Sequence, residues 1–173
     1  AAHIDLARFH WHRMHALPRV RDFHNHVASY FVRDDHDTWQ NDGWPGQINR
    51  MGNFTLADGQ AVFREQLPMS PKTYRTARWG KDLQVWFSEG RDYRSPNPMP
   101  DGSNKTIWGK EQMAWFKKTV RASDATFKIL VSPSTIVGPD HITKFDNHAN
   151  PNFKYEGDIV RSFLAEHNVV VLC

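Results

Sequence analysis

Cysteine is almost missing from this sequence. Cys173 stands alone, so no internal disulfide can form and no zinc site of paired CxxC spacing can exist. Long apolar runs are missing too: the longest is Val169 to Cys173, far short of the roughly 20 residues that cross a bilayer. With a mean hydropathy of −0.66, no membrane span is expected. Ala1 to Arg21 carries His3, His10, His12 and His15 and several charges where a secretory leader needs an apolar stretch, so none is expected in this segment. No GxxxxGK[ST], GxGxxG or GxSxG occurs, which removes the usual nucleotide-binding loops and the hydrolase elbow. Charge of one sign is also lacking. Lys and Arg number 22 against 19 Asp and Glu, and the net +3 does not indicate nucleic acid as a specific partner.

What is present suits one folded domain. The 173 residues are 39% hydrophobic and 13% aromatic, enough to pack a core. The chain opens on Ala and stops inside Val169-Val170-Val171-Leu172-Cys173, a run that reads as a buried strand. We therefore expect a segment of a longer protein. Apolar spacing predicts helices over Ile4 to Leu17 (ended by Pro18), Val20 to His26, Gly59 to Leu67, Gly109 to Ala122 and Glu156 to His167. Strands are expected at Val27 to Val32, Thr73 to Arg78, Leu83 to Ser88, Phe127 to Ser132 and the terminal run, the middle two as an antiparallel hairpin. The second half alternates strand and helix, which favours an α/β sheet with helical cover. In such sheets chemistry gathers beyond the C-terminal strand ends.

Asp34-Asp35-His36-Asp37 is the most informative stretch. Three carboxylates and an imidazole in a row repel one another unless solvated or offset by a cation. If the stretch continues a strand, Asp35 and Asp37 share one side and Asp34 and His36 the other. Carboxylates suit a divalent metal, and imidazole can protonate a leaving group. The plainer alternative is a solvated acidic turn. Arg91 and Arg94, in Glu89 to Asn97, offer planar forks for a phosphate or carboxylate, with an ordinary Arg–Asp92 surface pair as the rival. Asp146-Asn147-His148-Ala149-Asn150, in the loop Pro133 to Phe153, reads first as a turn. His10, His12, His15, His24 and His26 match no zinc spacing, and the scattered tryptophans read as packing residues.

At Asp34-Asp35-His36-Asp37 followed by Asn41, and again at Gly90-Arg91-Asp92-Tyr93-Arg94, the sequence resembles the PhoD-like alkaline phosphatases and phosphodiesterases of the calcineurin-like metallophosphoesterase superfamily. Thr106 to Gln112, Ser123 to Lys128, Ser132-Pro133 and Asp146 to Asn150 extend the resemblance along the chain. It implies an α/β fold, part of a metallophosphoesterase sandwich with a mixed β-sheet and helical cover, incomplete at both ends. Residues 1–173 would be the central part of one catalytic domain. It further implies hydrolysis of phosphate mono- or diesters at a dinuclear metal centre of iron, calcium, zinc or manganese. Asp35 would be a ligand and Asp34 a ligand or its neighbour. His36 would protonate the leaving oxygen, with Asp37 orienting it. Arg91 and Arg94, with Asn41, Asn147 and His148 at the rim, would face the substrate. Export to the periplasm is the family's habit.

The family's other ligand motifs, an Asp motif upstream and Gly-Asp-x-His downstream, are not in this sequence. Alone, the chain is expected to hold metal poorly and turn over little. The alternatives are a non-catalytic module that binds phosphorylated polymers and, more remotely, a His-rich zinc-binding domain.

Overall fold

The structure, a computed structural model, describes residues 3–141 and 143–173. Ala1, Ala2 and Ile142, the last within the Pro133 to Phe153 loop, lie outside the described residues. Among the described residues, α-helices and strands carry the fold, with one short 3-10 turn at Pro151–Phe153 before the last helix. These helices and strands are α1 (Ile4–His15), α2 (Pro18–His26), α3 (Leu56–Gln66), β1 (Arg75–Trp79), β2 (Leu83–Phe87), α4 (Gly109–Arg121), β3 (Phe127–Val131), α5 (Lys154–Glu166) and β4 (Val169–Leu172).

The strands form one mixed sheet in the order β1-β2-β3-β4. β1 is antiparallel to β2 through a turn in which Gly80 takes a positive φ, and β2, β3 and β4 run parallel. Parallel neighbours need a crossover, and α4 and α5 supply it. Trp86 and Leu130 pair in register and are fully buried, with Val171 beside them on β4. Phe116 and Val120 of α4 and Val160, Phe163 and Leu164 of α5 close over that face. Burying each such side chain contributes roughly 1.5–3 kcal/mol. The expected mixed α/β sheet with helical cover is therefore present.

Two expected strands differ. Val27 to Val32 is not in the sheet. Its carbonyls meet side chains rather than a neighbouring strand: Arg75 Nη2 donates to Phe31 O at 2.6 Å, and Tyr30 stacks flat on Phe87. The terminal strand is paired on one side by β3, and Val170 and Leu172 are more than half exposed, so its run is not buried on both faces. Helix ends shifted for local reasons. Pro18, which stops α1, also starts α2, where its missing N–H costs nothing. α3 begins before Gly59 because Thr55 and Asp58 form a reciprocal capping box.

Candidate functional site

The stretch Asp34 to Asp37 folds as a turn and not as extended chain. Asp35 O accepts from Thr38 N at 3.1 Å and from Trp39 N at 2.7 Å. Asp37 Oδ2 closes the turn by accepting from Asp34 N at 2.7 Å. The turn separates Asp35 and Asp37, which extended geometry would have placed together: Asp35 is buried and Asp37 exposed. Asp35 Oδ1 accepts from His36 N at 2.9 Å and its Oδ2 from Asp42 N at 2.5 Å. Behind it sits Gly59 of α3, where an added Cβ would lie 1.7 Å from Thr38 O. Only glycine lets the helix approach the turn so closely.

His36 is exposed, and its Nε2 lies 3.0 Å from Asn41 Oδ1. Asn41 Nδ2 then donates to Asp42 Oδ2 at 2.7 Å. Asn41, not Asp37, is therefore the side chain that fixes the imidazole. Asp42 has φ 52, in the left-handed region that Asp tolerates better than most residues.

Arg91 arrives from beyond the C-terminal end of β2. Its Nε donates to Asp34 Oδ1 at 2.5 Å and its Nη2 to Asp146 Oδ2 at 2.8 Å, with Asp35 Oδ2 3.8 Å away. Nη1 is buried without a partner. The loop is set by Glu89, whose oxygens accept from Arg91 N at 2.7 Å and Asp92 N at 3.0 Å. Gln112 of α4 holds Glu89 in turn, exchanging hydrogen bonds with its N–H and C=O at 2.8 Å each.

Asp35, Asp42 and Asp146 each present a carboxylate oxygen within 4.8 Å of the others. Charge around them is unevenly offset. Burial, and next the nearby Asp146, pushes the Asp42 carboxyl above its ordinary range. Burial opposes the charge on Asp146 as well, but Arg91 overcomes it and holds that carboxyl low. Burial also works against the Arg91 guanidinium, and Asp34, Asp35 and Asp146 raise it above its ordinary value regardless. Arg94, buried and repelled by Arg91, is lowered to about 10 and stays charged at neutrality. Four carboxylates, Asp34, Asp35, Asp42 and Asp146, thus face two guanidiniums, with Lys144 4.0 Å outside Asp42. An all-oxygen donor set with unbalanced negative charge fits a hard cation such as Ca²⁺, Mg²⁺ or Mn²⁺.

The remaining expected residues fall elsewhere. Arg94 Nη2 donates to Asn97 Oδ1 at 2.8 Å and Asp146 O at 2.7 Å, and its guanidinium lies over the Phe153 ring. It ties loops together from behind. His148 is fully buried rather than at a rim: its Nε2 is 3.0 Å from Glu156 Oε2, and Glu156 also accepts from Ile107 N at 2.5 Å. Gly157, whose Cβ would lie 2.3 Å from His148 O, brings α5 against this loop. Asn147 holds a turn, with Nδ2 on Asp140 and Oδ1 accepting from Ala149 N. Asp92 pairs with buried Arg33, not with Arg91 or Arg94. Among the described residues no histidine joins a metal-compatible group. Asp42 went unnoticed in the sequence, although Asn41-Asp42-Gly43 just after an acidic cluster is a turn signal that returns the chain toward it.

A family model described as PhoD-like phosphatase matches residues 5–171. Among solved structures, one described as "Structure of PhoD" superposes with a TM-score of 0.64 at 20% identity, covering 80% of this chain and 32% of that chain. The likeness shows a shared fold, and the chain spans about a third of that structure's length. No curated protein matches this chain.

Proposed function

We propose a function from one premise: this chain belongs to the PhoD-like phosphatase family, whose model it matches over nearly its full length. The family supports phosphoester hydrolysis in general. The finer reading is that these residues form part of one catalytic domain that cleaves phosphate mono- or diesters with the help of bound metal, in the intact protein. The observation that carries it is the meeting of Asp35, Asp42 and Asp146 beside Arg91, joined to His36 through Asn41.

Asp35, Asp42 and Asp146 would hold a cation. Bound there, it supplies Lewis acidity toward a phosphoryl oxygen and lowers the pKa of water. Arg91 is already braced by Asp34 and Asp146, and its unpartnered Nη1 is a donor for a phosphoryl oxygen. A donor held in place before the reaction stabilises charge on phosphorus without reorganising. His36 stands exposed with Nε2 on Asn41 Oδ1, where it can hold a proton and release it to a leaving oxygen. Asp37 acts on the turn that carries His36, through Asp34 N.

The test is metal content together with turnover in the intact protein. Bis(4-nitrophenyl) phosphate should be cleaved in a chelator-sensitive way, and Asp35→Asn should lose both bound metal and turnover. Full metal occupancy in Asp35→Asn would remove Asp35 as a ligand. Phosphate binding without turnover of any ester would favour a binding module on the same fold.

A further inference from the structure

α1 buries none of its residues completely, yet it does not lie free of the body. Arg8 pairs with Glu65 of α3 at 2.9 Å, and Trp11 meets Phe63 edge to face. Between α1 and the Asp34–Phe54 segment remains a cavity of about 680 Å³. That is within the range of sites for small organic ligands. Its wall includes His36, Asp37 and Phe54, with Leu6, Trp11 and Met14 across from them on α1. The imidazoles of His3, His10, His15 and His24 line it as well. Asp35, Asp42, Asp146 and Arg91 do not line it. The imidazole of His36 therefore stands between two chemically different spaces. On one side Asn41 leads to the carboxylates, and on the other lies a chamber walled by aliphatic and aromatic side chains with imidazoles among them.

We propose that this chamber receives the leaving alcohol of the phosphoester and selects an apolar one, aryl or alkyl. The inference rests on the reading of His36 as the acid that protonates the leaving oxygen. A group that protonates that oxygen touches the alcohol on its way out, so whatever space adjoins the imidazole away from the carboxylates must accept the alcohol's body. A sugar or glycerol unit would have to set its hydroxyls against Leu6, Met14 and Phe54 and could pair them only where an imidazole of the wall is in reach, whereas an apolar group gains by leaving water and by packing on Trp11.

Two measurements on the intact protein decide it. Titration calorimetry with the product alcohols should detect 1-naphthol or 1-octanol and not glycerol, and the stronger of the two separates aromatic from aliphatic preference. In parallel, methyl 1-naphthyl phosphate should be cleaved with higher kcat/KM than methyl phenyl phosphate. Ala7→Phe, which projects from α1 into the chamber, should weaken naphthol binding and erase the naphthyl preference by about tenfold or more. If that variant does not fold, Met14→Trp narrows the same space from further along α1. Equal cleavage of both esters with no alcohol binding overturns the chamber's role and leaves the hydrolytic reading standing. Alcohol binding with no ester cleaved removes the hydrolytic reading, and the leaving-group assignment falls with it.

Discussion

Arg91 and Asp146 meet at 2.8 Å inside the protein, both buried, from loops that follow different strands of the sheet. Through the same guanidinium, Asp34 joins them at 2.5 Å. Removing one member of a buried pair strands the others without compensation, which typically costs about 3–5 kcal/mol. Arg91→Met should lower unfolding stability by that amount, read from the denaturant midpoint. A loss below about 1 kcal/mol would mean that water already screens these carboxylates.

His36→Ala should lower kcat of the intact enzyme by about 10²–10⁴-fold on a diester with a poor leaving group. With a nitrophenolate leaving group, which departs without a proton, the loss should be much smaller. Equal losses on both would assign His36 to binding rather than proton transfer.

Much of this was legible in the sequence, and the rest was hidden for physical reasons. β3 with helices α4 and α5 could be read because their apolar residues recur at the period of the element they form, as Met113, Phe116 and Val120 do. Val27 to Val32 was misread because an apolar run reports burial, not ladder partners, and here Arg75 takes a carbonyl a strand would have bonded. In the site, the Asp34 cluster and Arg91 stood out by local density of charge. Asp42 did not, and Asp146 read first as part of a turn, because each becomes significant only by facing Asp35 across the fold. His148 was read as a rim residue since its partner, Glu156, belongs to α5 and its burial is a tertiary property.

Stability should fall as pH rises toward neutrality, with Glu89 as one cause. Burial pushes its carboxyl up to about 7, with Arg33 opposing the shift and Asp92 adding to it. Burial also opposes the charge on Asp92, but Arg33 holds that carboxyl low. One guanidinium serves two carboxylates, and the proton goes to Glu89. The folded chain then keeps this proton between the ordinary Glu range and about pH 7, where the unfolded chain has released it. Stability contributed by the proton is complete at lower pH and lost by the time pH passes about 7. Glu89→Gln should flatten that slope in thermal melts across pH 5–8, and an unchanged slope would exclude Glu89 as its source.

Gly59→Ala should be disproportionately costly for a helical glycine, where alanine ordinarily favours the helix. The new methyl would meet Thr38 O, so α3 or the Asp35 turn must move, a strain of about 1–3 kcal/mol. Melting should show the loss, and metal affinity should fall with it. A stabilised variant would mean that the turn yields freely.

The long reach of the Arg91 contacts bears on the order of events in time. Asp34 and Asp146 lie 57 and 55 positions from Arg91 along the chain. Loops of that length close only against an entropy that local contacts cannot offset, so the parallel strands must pair before these carboxylates can gather. The hairpin of β1 and β2 has no such delay, since Arg75 and Phe87 are joined by a short turn. A nascent chain therefore passes through most of its history with scattered, solvated aspartates and no cation trap. On the proposed reading, an ion would be bound late, by carboxylates already gathered and not by a collapsing chain.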